Sequence, residues 1–213
     1  MALIKGLLAS YSDPILGLVP TTVLFQYNPT EMTRVLRVES RVDDGGSPTG
    51  AALNAVRAAT EEYSMKLEFD ATDGLERGGP LTLAFGISPR LAALELLMQP
   101  VGASLLGGLA STLTRGLLGG GGANVPAGQL PLTLFVWGPE RIAPVRLNTL
   151  SIQESAFDEL LNPIQATADV SFAVLRFDDP SNTNKFARAA AKYYQGSRET
   201  RALLAPAQIP ELL

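Results

Sequence analysis

Three pairs of closely spaced carboxylates, Asp43–Asp44, Asp70–Asp73 and Asp178–Asp179, are the groups in this sequence whose type and spacing could do acid–base chemistry. Two carboxyl groups flanking one bond can divide the roles of acid and base, as they do in glycoside hydrolysis. Histidine and cysteine are absent, which removes thiol nucleophiles, Ser-His-Asp relays and the usual zinc ligand sets. Asp43–Asp44 precede Gly45 and Gly46, and Asp178–Asp179 precede Pro180. In such positions Asp is favoured because its side chain bonds the backbone of a turn. The glycines at 119–122 are not followed by the Lys-Ser/Thr of a phosphate loop. The expectation is a protein with no catalytic residues, no cofactor and no metal.

The remaining composition points toward contacts with other chains. The 213 residues suffice for one large domain with a core of its own. A net charge of −4 argues against sequence-independent nucleic-acid binding. Charged residues make up only 18% of the chain and apolar ones 46%. That dry composition is expected where neighbouring subunits cover much of the surface, although a leucine- and alanine-rich composition explains it equally well. The opening MALIKGLLASYSDPILGLVP resembles a secretion signal only briefly, because Ser10, Ser12, Asp13 and Pro14 break its apolar run. No uninterrupted apolar stretch is long enough for a membrane span, so cytoplasmic synthesis without membrane insertion is expected.

The elements that would carry these residues are mostly strands. LFQYNPTEMTRVL reads as two strands joined by a corner at Asn28–Glu31, with Val23, Phe25 and Tyr27 on one side of the first. Pro29 fixes its own φ and pushes Asn28 out of the helical region. Residues 41–62 read as a loop with a short helical turn in ALNAVRAATEE. YSMKLEFD, 63–70, alternates cleanly, with Tyr63, Met65, Leu67 and Phe69 on one face. Leu81–Ile87 alternates too, but Gly86 and the preceding Gly78-Gly79-Pro80 leave strand and loop both open. A helix follows from Ser88, with Leu91, Leu94 and Met98 at helical spacing. Residues 101–128 are rich in glycine and carry two leucine pairs, Leu105–Leu106 and Leu117–Leu118. Glycine disfavours a stable helix there, so the expectation is a mobile loop, ordered only in an assembly if those leucines dock and otherwise a plain linker. Strands return at Leu132–Trp137, at Val145–Gln153 with a bulge between Leu147 and Leu150, and at Ala166–Val174. Trp137, at a strand end, reads as a core anchor or a contact with a neighbour. A helix over about 182–195 places Phe186, Ala189, Ala190 and Tyr193 at helical spacing, and a proline-containing tail follows. The order of elements fits a mainly β domain over 1–177, an antiparallel barrel or sandwich with packed helices, and a C-terminal helix with a docked extension over 178–213.

Four segments in order, FQYNPTE (25–31), LEFDATD (67–73), LFVWG (134–138) and AFDELLNPIQATADVSF (156–172), are similar to recurring motifs of the tube-protein family of contractile injection systems. The likeness covers about residues 20–177 and is nearest to the adaptor ring between spike and inner tube. It implies a tail-tube-like antiparallel β-barrel flanked by helices and a homohexameric ring. The implied partners are the inner tube protein, the spike and other baseplate components. Assembly would occur in the cytoplasm as part of a phage-tail-like particle, retained or released. It further implies that Asn28, Pro29 and Glu31 set a barrel corner and face the next ring. The chain departs from the pattern in two places: nothing after 177 resembles the C-terminal LysM module common in such adaptors, and the insert at 101–128 has no counterpart. A tube-initiator or tube-cap component fits the same motifs. A glycan-binding or cell-wall hydrolase module is the reading from another class. It would need an acid pair across a cleft and exposed aromatic residues, in a chain only 7% aromatic.

Overall fold

Most of the period-two alternation in the sequence becomes strand. The structure, a computed structural model, describes residues 4–11, 21–38, 59–99, 132–176, 178 and 184–211. These form β1 (Leu7–Tyr11), β2 (Thr21–Leu24), β3 (Met32–Arg37), β4 (Thr60–Asp70), β5 (Leu132–Val136), β6 (Ile142–Phe157) and β7 (Pro163–Val174). The helices are α1 (Thr72–Glu76), α2 (Pro80–Phe85), α3 (Ser88–Leu96) and α4 (Lys185–Leu204), followed by a 3-10 segment, Ala205–Glu211. The protein is therefore mainly antiparallel β with packed helices, the last of them C-terminal. The insert with Leu105, Leu106, Leu117 and Leu118, and the whole of 41–58, lie outside the described residues.

All seven strands belong to one antiparallel sheet in the order β2-β1-β5-β6-β7-β4-β3. β2 and β4 stand five strand spacings apart in that order, about 24 Å if the sheet were flat. Yet the Gln26 side chain, just past β2, donates to Asp70 O at 2.7 Å and accepts from Asp70 N at 3.0 Å, at the end of β4. The sheet is thus rolled until its edges approach. Among the described residues no ladder joins β2 to β3, so the roll stays open rather than closing into a barrel. Inside it, Leu8, Val23, Phe25, Tyr63, Leu67, Phe135, Val145 and Phe172 form one core, to which α3 adds Leu91 and Leu94. Tyr63, Phe135 and Phe172 meet ring to ring at 4.9–5.6 Å.

Several expectations change. Leu81–Ile87 is mostly helix α2, because Pro80 supplies a preset first-turn φ and Gly86, at φ +57°, stops it. A Cβ on Gly86 would lie 2.2 Å from Pro163 O, so glycine also lets α2 sit against the start of β7. Thr60–Glu62 extend β4 instead of ending a helical turn. The N-terminal apolar run contributes the strand β1. The bulge in β6 is present as a register shift between Leu147 and Thr149. α4 runs to Leu204 and buries Ala187, Ala191 and Tyr194; Phe186 and Tyr193 are exposed instead. Asn184 caps it, its side chain accepting from Phe186 N and Ala187 N.

Candidate functional site

Side-chain amides hold the corner between β2 and β3. Asn28 Oδ1 accepts from Gly6 N at 2.9 Å, and Asn28 Nδ2 donates to Ile4 O at 2.9 Å. Asn28 thereby acts as a strand partner for the residues just before β1, in line with the backbone bond from Phe25 N to Gly6 O. Gln26 does the same for Asp70, and Arg90 also donates to its Oε1. Both amides make the paired donor–acceptor contact that a backbone makes in a sheet.

The four motif segments converge on this corner. Phe25 packs at 6.3 Å from Trp137, which stacks at 6.1 Å on Phe135. Gln26 holds the backbone of Asp70, and Gln165 Nε2 donates to Asp70 Oδ2 at 3.0 Å. Residues from 25 to 165 thus interlock within one end of the roll. A Cβ on Gly6 would fall 2.7 Å from both Phe25 and Trp137, so glycine lets the chain entering β1 lie against the two rings. Trp137 is half-buried and packs against the core.

The acid pairs do structural work wherever they are described. Bonds from Thr72, its hydroxyl before its N–H, and from Gln165 hold the Asp70 carboxyl below the usual carboxylate range. A general acid needs the opposite shift. Asp73 occupies the first turn of α1, where a carboxylate favours the helix dipole. Asp178 Oδ1 and Oδ2 accept from Arg176 Nε at 2.9 Å and Nη2 at 3.0 Å. Asp43, Asp44 and Asp179 lie outside the described residues. Among the described residues no group of three or more carboxylates could hold a metal ion.

Tyr27, Asn28, Pro29, Thr30 and Glu31 form one wall of an open groove of about 790 Å³, whose floor is the polar outer face of β4, β7 and β6. Register aligns Thr33, Ser64, Ser171 and Thr149 into one row of hydroxyls across four strands. Glu31 is exposed and Pro29 half-buried on this wall.

A second polar cluster, without any counterpart in the sequence reading, fastens α4 to the sheet. Glu61 is 4% exposed; its Oε2 accepts from Arg198 Nη1 at 2.7 Å and its Oε1 from Tyr194 Oη at 2.8 Å. Tyr194 Oη lies 2.7 Å from Tyr63 Oη, and with its proton given to Glu61 it accepts from Tyr63. A hydrogen bond to Tyr63 raises the pKa of Arg34 on β3, whose Nη1 lies 3.8 Å from Glu61 Oε1. Burial first, then the bonds to Tyr63 and Glu61, push the Tyr194 phenol far above its ordinary value.

Exposed apolar side chains gather at the β6–β7 turn. Leu160 and Leu161 are 76% and 79% exposed, beside Phe157, and Leu161 has φ +62°. The turn is organised by Asp158, whose carboxylate accepts from Leu160 N, Asn162 N and Asn162 Nδ2 at 2.8–2.9 Å. Asn162 Nδ2 also donates to Ala84 O at 3.3 Å, so the exposed Leu81, Leu83 and Phe85 of α2 adjoin the same turn. Among the described residues no helix is long and apolar enough to cross a membrane. Neither a protein-family model nor a curated protein matches the chain.

Proposed function

We propose that this chain is a structural adaptor ring that joins the spike and baseplate hub to the inner tube of a phage-tail-like contractile injection particle. One observation carries the reading. The four segments that resemble tube-protein motifs, although spread over residues 25–172, interlock through Gln26, Asp70, Gln165, Phe25 and Trp137. A signature whose members brace one another is what a structural family requires. The rolled antiparallel sheet and the apolar side chains exposed on the β6–β7 turn, α2 and α4 support an assembled role for a subunit with partners to cover them. No catalytic activity, cofactor or nucleic-acid contact is assigned.

The test is deletion of the chain from cells that assemble such particles, with electron microscopy of what remains. Spike and tube should both be made yet fail to join, and the full chain supplied in trans should restore the junction. Intact tubes seated on spikes without the chain would refute the role. Glu31→Lys, on the groove wall, should leave the subunit folded and weaken joining.

A further inference from the structure

Two stretches of this subunit differ in charge and lie too far apart to meet within one copy. From Leu147 to Leu175 the chain carries Glu154, Asp158, Glu159 and Asp169 and no lysine or arginine. From Met32 to Val38 it carries Arg34 and Arg37 and no carboxylate. Both places expose apolar side chains: Phe157, Leu160 and Leu161 on the hairpin turn, and Val35, Leu36 and Val38 on and beside β3. Among the described residues both also present unpaired backbone: β3 has β4 on one side only, and β6 is paired to β5 only over Ile142–Val145, which leaves β7 alone beside its distal half. An open strand edge is a template for another chain.

Arg37 pairs with Thr60, whereas the hairpin turn lies beyond the pairing of Asp70 with Gln165. The ten residues of β4 between those points span about 33 Å. An acidic, apolar arm at one end and a basic, apolar edge at the other fit two copies placed head to tail. At the tip of the arm, Leu161 holds a left-handed backbone conformation that a leucine rarely adopts, and its side chain is turned outward to solvent.

We infer that the β6–β7 arm of one copy docks on the β3 edge of a second copy, with Glu154 and Glu159 facing Arg37 and the arm's leucines covering Val35 and Val38. The contact is heterologous, so it propagates from copy to copy and closes a ring when the rotation permits. It deepens the adaptor reading, on which it rests for the expectation of a ring, by naming the two surfaces that meet.

The experiment uses the full chain with charges reversed on either side, followed by sedimentation over a concentration series. Glu154→Lys with Glu159→Lys makes the arm basic; Arg37→Glu makes the edge acidic. Arg34 is left intact because it is tied to Tyr63 and Glu61. Each variant alone should shift self-association to at least about tenfold higher concentration, with circular dichroism unchanged. Mixing the two should restore association, since each arm then meets an edge of opposite sign. Either variant associating like the unaltered chain, a mixture as dissociated as its components, or an unaltered chain that stays monomeric throughout would overturn the contact. Oligomers that obey the charge pattern but never join tube or spike protein would leave the contact standing and remove the adaptor role. Particles that assemble with the single variants would do the reverse.

Discussion

Replacing Asn28 tests whether an amide side chain, more than the proline beside it, holds the corner. Its two bonds to Gly6 N and Ile4 O are both 2.9 Å. Each is worth about 0.5–1.5 kcal/mol net, so Asn28→Ala should destabilise the subunit by about 1–3 kcal/mol. Asn28→Asp is the sharper probe. It retains an acceptor for Gly6 N–H but sets an anionic oxygen against the Ile4 carbonyl where a donor stood. At pH 7 it should be at least as damaging as alanine. Protonation replaces the missing donor, so the introduced carboxyl is expected to have a folded pKa above its unfolded value near 3.9. The stability regained is then fully present below that unfolded value and lost as pH rises through the folded pKa. Urea denaturation at pH 7 and at successively lower pH, referenced to the parent chain, reads this directly as a shift in midpoint at constant slope. Pro29→Gly should cost only about 0.4–1 kcal/mol, through unfolded-state entropy. An Asp variant as stable as the parent at pH 7, or a deficit that ignores pH, would refute the amide-bridge account.

Further outcomes follow from the other sites. Arg198→Ala removes the 2.7 Å partner of a carboxylate that is only 4% exposed and leaves Arg34 at 3.8 Å. The loss should be about 3 kcal/mol, the low end for a broken buried pair because Arg198 is itself partly solvated, with α4 the first element to lose hydrogen-exchange protection. The raised Tyr194 phenol makes a contribution that is fully present below the unfolded value near 10 and lost as pH rises beyond it. Tyr194→Phe should therefore be the less stable chain at neutral pH and lose less stability above about pH 10, so that its gap from the parent narrows as pH rises; a gap that stays constant from neutral to alkaline pH would refute the assignment. The depressed Asp70 carboxyl gives the complementary acid limb: its contribution holds above the unfolded value and disappears as pH falls through the folded one, a limb that Asp70→Asn should flatten. Leu161→Gly relieves the positive φ, less the entropy glycine loses on folding, for a net stabilisation of up to about 1 kcal/mol by thermal melting.

Alternation was legible in the sequence because it is a local property, and Tyr63 to Phe69 needed nothing but their own spacing. The same rule, run two residues further back from Tyr63, points Glu61 inward. The pair Glu61–Glu62 looks like a solvated charge cluster, and only the arrival of Arg198 and Tyr194 from more than 130 residues away makes an inward Glu61 tolerable. Long-range compensation of that kind leaves no trace in a window of neighbours. α4 shows a related failure. Phe186 and Tyr193 share helical spacing with one another, but so do Ala187, Ala191 and Tyr194, and the second set faces the sheet. Small alanines let the helix approach closely while Tyr194 reaches the polar cluster, so the less hydrophobic face is the one that docks. α2 was ambiguous because PLTLAF alternates by chance; Pro80 and Gly86 decide it through backbone geometry.

The corner joins both lessons. NPTE announces a turn, and Pro29 accounts for its stiffness, yet the residues that fasten it are Asn28 and Gln26, which reach positions 22 and 44 residues distant. A side-chain amide can supply the donor and the acceptor of a strand residue without being in a strand. Two such amides, at the place where the edges of a rolled sheet approach, hold the roll in shape, and among the described residues no strand pairs with the outer edge of β3. A closed barrel would have used that edge up. On the contact inferred above, an open roll braced by amides offers the edge to a second copy, and Arg37 opposes in sign the arm that lies at the far end of the subunit.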